Sequence, residues 1–134
     1  MEGGDVDDVV ESASRRTQGR FQIGERQADL GLEIRRVGAT LGSRDDGSPE
    51  PDFEAQVRLA FANLEATLRA AGCGFDDIVD VTTFHTDPAR QFDTVLAVKD
   101  EIFPQAPYPA WTAIGVTWLA GFDFEIKVIA RIPR

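Results

Sequence analysis

Sulfur and imidazole are scarce in this chain of 134 residues, which carries one cysteine, Cys73, and one histidine, His85. A single cysteine excludes an internal disulfide framework and any zinc site built from several thiolates. A single histidine excludes a histidine-rich metal cluster. Positive charge is also short: 14 Lys and Arg stand against 23 Asp and Glu, a formal net charge of -9. A chain so acidic repels phosphate backbones and anionic lipid surfaces, so neither nucleic acid nor a membrane is an expected partner. No apolar run approaches the roughly 20 residues of a membrane helix. The start, Met1-Glu2-Gly3-Gly4-Asp5, has neither the basic nor the apolar region of a signal peptide. Gly-rich phosphate loops, Gly-x-Ser-x-Gly and His-Glu-x-x-His are missing too. The expectation is a cytoplasmic, metal-free protein.

What is present suits one globular domain, with 43% hydrophobic and 28% charged residues, enough apolar matter for a core. Residues 1–20 are polar and rich in Gly, Ser, Asp and Arg, and read as a mobile N-terminal segment before a single domain over 21–134. The alternation Leu32-Glu33-Ile34-Arg35 suggests a strand with one wet face, broken at Arg35-Arg36. Gly42 to Pro51 is dense in Gly, Pro, Asp and Ser and reads as a loop. Asp52 can then cap a helix of about five turns, with Val57, Phe61, Leu64, Leu68 and Ala71 on one face and Gly72 as its stop.

A strand follows over Ile78 to His85, where Val79, Val81 and Thr83 alternate with Asp80, Thr82 and Phe84. Asp87-Pro88 opens a second helix, with Phe92, Val95, Leu96, Ile102 and Phe103 as its apolar stripe and Pro104 and Pro107 as its end. Trp111 to Leu119 is nearly all apolar or Thr and reads as a strand buried on both faces. Ala120-Gly121 makes a turn into a final strand, Phe124 to Ile132, and these two strands are expected to form a hairpin. In the final strand Phe124, Ile126, Val128 and Ala130 share one face, and Glu125, Lys127, Ile129 and Arg131 the other. The order implies an α+β sandwich, a mixed sheet with both helices on one face. Ile114, Val116, Trp118 and Ile129 load the other face with apolar surface, which predicts an oligomer.

The residues able to carry chemistry are few. Cys73 follows a helix C-terminus, where the dipole disfavours a thiolate, so it reads as a small, half-buried residue in a turn. His85 closes a strand and is either a general base or a polar strand-end residue bonded to the loop. Glu125 is the carboxylate of the final strand's polar face. If that face lines a subunit junction it is the best acid/base candidate; otherwise it makes a salt bridge to Lys127, Arg131 or a neighbouring chain. Tyr108 and Trp111 flank Pro109-Ala110 and either wall a small pocket or pack in the core or an interface.

These pieces converge on a known pattern. The loop Asp46-Gly47, Gln56 with Ala60-Phe61-Ala62-Asn63-Leu64, Ala70-Ala71-Gly72, Asp77-Ile78-Val79, Thr83-Phe84-His85-Thr86-Asp87, Pro109-Ala110 and Glu125-Ile126 follow one another in order. The chain thereby resembles the Rid family, also called YjgF/RidA-type proteins. Pro49-Glu50-Pro51-Asp52-Phe53 and the run Trp111 to Lys127 are similar to a YjgH-like subgroup. The resemblance implies a chorismate-mutase-like fold and a homotrimer whose sheets form a central barrel, with small-molecule clefts between subunits. It also implies, in many members, hydrolysis of reactive imines and enamines to a 2-oxo acid and ammonia with no cofactor.

Departures from the family pattern bear on substrate. Deaminating members have an arginine after Pro-Ala that holds the substrate carboxylate. Here Trp111 stands there, with one N–H donor and no charge. An asparagine of their second helix corresponds to Leu96, and their Ser-Gly-Gln to Val37-Gly38-Ala39. Residues 1–40 carry Arg35-Arg36 and polar neighbours in place of the usual apolar first hairpin. Glu125 matches the family's cleft glutamate, which orients water. The implied site is Glu125 as the acid/base, with Trp111, Tyr108, Phe84, Leu96 and Ala113 shaping the cleft. The expected function is binding of a small metabolite between subunits, with hydrolysis of an imine, enamine or related compound that is not arginine-dependent 2-imino-acid deamination. The alternatives are a non-catalytic binding or chaperone-like trimer, and a 2-iminobutanoate/2-iminopropanoate deaminase.

Overall fold

The computed structural model describes residues 21–22 and 35–133. The expectation of a mobile segment over 1–20 lies outside the described residues, as does the alternation Leu32–Ile34. The elements are β1 (Phe21–Gln22), β2 (Arg35–Leu41), α1 (Phe53–Ala70), a 3-10 turn (Phe75–Asp77), β3 (Ile78–His85), α2 (Pro88–Ile102), β4 (Ala110–Gly115) and β5 (Phe124–Arg131). The sheet order is β1-β2-β5-β3-β4, antiparallel throughout except for the parallel β3–β4 pair.

Helix α1 forms where its pattern predicts. Asp52 caps it by accepting a hydrogen bond from the Ala55 N–H at 2.9 Å. Gly72 ends it at φ +73°, a conformation that costs a side-chain-bearing residue energy. Val57, Ala60, Phe61, Leu64, Leu68 and Ala71 are buried against the sheet. Their partners are Val81 of β3 and Phe124, Ile126, Val128 and Ala130 of β5. Helix α2 starts at Pro88, but Asp87 caps it through its backbone carbonyl, which accepts from Arg90 and Gln91, rather than through its carboxylate. Both helices cover one face of the sheet, with Arg58 of α1 paired to Glu101 of α2 at 2.8 Å.

Four expectations fail for identifiable reasons. Strand β2 does not break at Arg35-Arg36. It pairs with β5 residue for residue from Arg35↔Arg131 to Leu41↔Glu125, and backbone hydrogen bonds do not require side-chain alternation. The stripe expected on α2 is shifted, because Gln91, Val95 and Val98 are buried while Phe92 is exposed. The strand after α2 ends at Gly115 rather than Leu119, and only Trp111 of its residues is half-buried. It forms no hairpin with β5: β5 lies between β2 and β3, and β4 pairs in parallel with β3 at the edge. A strand that follows a strand and a helix returns parallel to the first, which makes β3–α2–β4 a crossover unit. The expected turn is present, with Ala120 at φ 54° and Gly121 at φ 91°, but it serves a longer connection.

The alternation in β3 also carries an interruption. A register shift between Ile78 and Asp80 places a bulge at Val79. Ile78 is therefore buried and Val79 exposed, whereas beyond the bulge Val81, Thr83 and His85 all face the helices.

Candidate functional site

Two amides of α1, the buried Gln56 and the half-buried Asn63, pin the end where β2 meets the start of β5. Gln56, on the inner face of α1, donates from Nε2 to the Glu50 carbonyl at 2.8 Å. Its Oε1 accepts from the backbone N–H groups of Asp123 (2.8 Å) and Phe124 (3.1 Å). Glu125 thus begins from an anchored backbone. Gly42 makes this fit possible, because a Cβ there would collide with the Gln56 carbonyl. Asn63 holds the end of β2 by donating to the carbonyls of Leu41 and Ser43 at 2.9 and 3.1 Å. Gln56 stands in the quoted motif, but its anchoring role was not read from it. The signal was an amide at a position of the apolar stripe.

Register then assigns the candidate residues to faces. Glu125 is paired with Phe84 on one side and Leu41 on the other, on the face turned away from the helices, and both Glu125 and Phe84 are half-buried. Trp111 is paired with Val81, and Ala113 with Thr83, on the helix-covered face. The Trp111 ring lies 6.5 Å from Phe61 and 5.9 Å from Phe103, centroid to centroid, and the Lys99 ammonium sits 5.3 Å from its centroid. Leu96 is half-buried on α2, next to the buried Val95. Tyr108 is 60% exposed in the loop before β4. It lines a cavity of about 330 Å³ with Asp76, Asp77, Ile78, Val79 and Arg131.

A single chain therefore does not gather these six side chains. Glu125 with Phe84, and Trp111 with Ala113, occupy opposite faces of the sheet. The residues that the structure does bring to Trp111 were not expected there. Its Nε1–H donates to Thr83 Oγ1 at 3.2 Å, and Thr83 Oγ1 is 2.8 Å from His85 Nε2. Thr83 and His85 are fully buried, and burial pushes the His85 imidazole below its ordinary pKa. His85 is bonded through its ring to Thr83, and its backbone carbonyl accepts from the Val116 N–H of the loop after β4 at 2.8 Å. The signal was two polar residues on the buried parity of β3. Cys73 lies in the turn after α1, as expected, but is buried rather than half-buried. Among the described residues no cluster of three or more His, Cys, Asp or Glu is arranged to hold a metal ion, and no helix is long and apolar enough to cross a membrane.

The model of the Endoribonuclease L-PSP family matches residues 37–132. The RutC family protein YjgH of Escherichia coli (strain K12) is 72% identical over 115 residues, covering 86% of this chain and 85% of that protein. The 2-iminobutanoate/2-iminopropanoate deaminase of the same organism is 33% identical over 105 residues, covering 76% of this chain and 81% of that protein. The solved structure of protein YJGH superposes with a TM-score of 0.70 at 68% identity, over 73% of this chain and 78% of that one. RidA from the Antarctic bacterium Psychrobacter superposes with a TM-score of 0.69 at 26% identity, over 83% and 91%. Sequence and fold together make this chain a member of the Endoribonuclease L-PSP family, the YjgF/RidA-type or Rid proteins, with a YjgH-like sequence.

Proposed function

We propose that this chain acts in the cytoplasm as a homotrimer that binds a small metabolite in clefts between its copies. There it hydrolyses a reactive imine or enamine whose recognition does not depend on an arginine–carboxylate clamp. The observation that carries this reading is the placement of Glu125 and Trp111 on opposite faces of one sheet. Side chains on opposite faces reach one ligand when a second copy lays its open face beside the β4 edge of the first. The surfaces suit that arrangement: Ile114 is 40% exposed and Trp118 76% exposed, more apolar surface than a lone chain normally leaves wet.

In the proposed reaction the Glu125 carboxylate accepts a proton from water while the water oxygen attacks the C=N carbon. The nitrogen takes that proton to give the carbinolamine; Glu125 then removes the hydroxyl proton and passes it to the nitrogen as the C–N bond breaks, and the products are a ketone or aldehyde and ammonia. Imine plus water thus balances without oxidant or cofactor. Trp111, Tyr108, Phe84, Leu96 and Ala113 shape the cleft. An indole supplies no charge for a carboxylate, which argues against 2-imino acids as the preferred substrate even though a relative at 33% identity is named for them. The ribonuclease in the family's name gains no support from a chain of net charge -9.

The test generates 2-imino acids in situ with an amino-acid oxidase and lets the protein compete with semicarbazide for them. Wild type should compete poorly and Trp111→Arg better. Efficient competition by wild type, lost in Glu125→Gln, would replace this reading with 2-imino-acid deamination through another anchor. Inertness of both toward imines of every class tried would leave a binding protein without hydrolysis.

A further inference from the structure

The chain from Trp111 through Thr83 to His85 has no part in the chemistry above, yet it is built with care for its hydrogens. Thr83 Oγ1 accepts the indole N–H at 3.2 Å and lies 2.8 Å from His85 Nε2. Thr83 and His85 are fully buried on the helix-covered face, and among the described residues His85 Nδ1 has no hydrogen-bond partner. The groups around the imidazole are the rings of Phe92 from α2, at 6.2 Å, and Phe124 from β5, at 5.6 Å. With the proton on Nδ1, the Thr83 hydroxyl donates to Nε2 and one buried N–H stays unpaired. With the proton on Nε2, both the Nδ1 lone pair and the Thr83 hydroxyl proton lack partners. Unmade buried hydrogen bonds are costly, so the first arrangement is favoured, and the direction runs Trp111 to Thr83 to His85.

We propose that Thr83 and His85 are positioning residues for Trp111, spending the indole's only hydrogen-bond donor inside the fold so that β4 presents a fixed, donor-free aromatic wall. This rests on the reading that the β4 edge borders the ligand cleft. With Lys99 over the ring and Phe61 and Phe103 packed against it, the indole is held without its N–H facing outward. The indole itself then offers a ligand neither a donor nor a charge, so an uncharged hydrocarbon or aromatic portion fits against the ring, with the Lys99 ammonium as the cation at its border.

The two tryptophans give two indole N–H signals in the nitrogen-15-labelled full chain, and Trp118, whose indole is not bonded to Thr83, serves as an internal reference. In the wild type the Trp111 signal should exchange slowly with solvent. Thr83→Val, which keeps the shape and removes the oxygen, should speed Trp111 exchange about tenfold and leave Trp118 unchanged. Thr83→Ser should restore the slow rate. Unchanged exchange in Thr83→Val, or failure of Ser to restore it, would overturn the proposal. A measurement on the wild type alone guards against a variant that does not fold: long-range nitrogen-15 correlations should show His85 Nδ1 protonated and Nε2 bare, and the reverse would overturn it. Neither readout requires a substrate, so these results stand or fall apart from the imine assay.

Discussion

The two faces of the sheet present the same strands under opposite conditions. On the helix side, Phe124, Ile126, Val128 and Ala130 of β5 meet Val57, Phe61 and Leu64 of α1 and are buried to within a percent or so. On the other side, Glu125, Lys127, Ile129 and Arg131 alternate with them and stay half-buried or exposed. One face is completed by the chain's own helices. The other carries Glu125 together with exposed apolar neighbours such as Ile114, and under the proposed trimer it is completed by another copy. The chain's own core thus lies on one side of a single layer, and the other side stays open.

Substitutions can break this contrast. The largest effect belongs to the helix side. Leu64→Ala should cost about 3–5 kcal/mol in denaturant unfolding, because a fully buried leucine leaves a cavity. Next comes Gln56→Ala. It leaves the Asp123 and Phe124 N–H groups without their acceptor and should cost about 2–3 kcal/mol by the same measurement.

A smaller effect comes from pH. The folded His85 pKa lies below the unfolded value of 6.5, so on acidification the unfolded chain takes up its proton first. Stability from this group is complete above about pH 6.5 and falls as pH drops below it. Thermal melts from pH 7.5 to 5 should show the loss, and His85→Gln should remove that component.

Open-face substitutions should spare the fold. Ile114→Asp should leave far-UV circular dichroism unchanged but lower the mass in solution measured by light scattering, from three copies toward one. An unchanged mass would sever the open face from assembly. Least of all, Arg58→Ala on the exposed side of α1 should shift the melting temperature only slightly, and added salt should erase the difference.

Much of this architecture could be read along the chain. Asp52 and Gly72 bound α1 because capping chemistry is local. Val81, Phe124, Ile126 and Val128 face inward because a strand alternates by geometry. Where reading failed, the missing information was not local. Trp111 to Leu119 looks like a doubly buried strand because it is apolar, yet the strand ends at Gly115 and, among the described residues, has a neighbour on one side only. The turn at Ala120-Gly121 suggested a hairpin, but the stronger constraint was the preceding strand–helix pair, which commits β4 to run parallel with β3. Thr83 and His85 were visible as polar residues on an inward parity. Their partner, Trp111, lies 28 residues beyond Thr83 along the chain.

Composition and periodicity were therefore sufficient for the α+β class, the two helices, and the inward face of β3 beyond its bulge and of β5, whereas the Rid family was reached by resemblance. Each of the former depends on neighbours within a turn or a strand length. Folding in three dimensions added the strand order, the bulge at Val79, and the division of Glu125 from Trp111 across the sheet. These follow from which strands lie side by side, and pairing between distant segments is set by the joint packing of helices and sheet, which no short window of residues encodes.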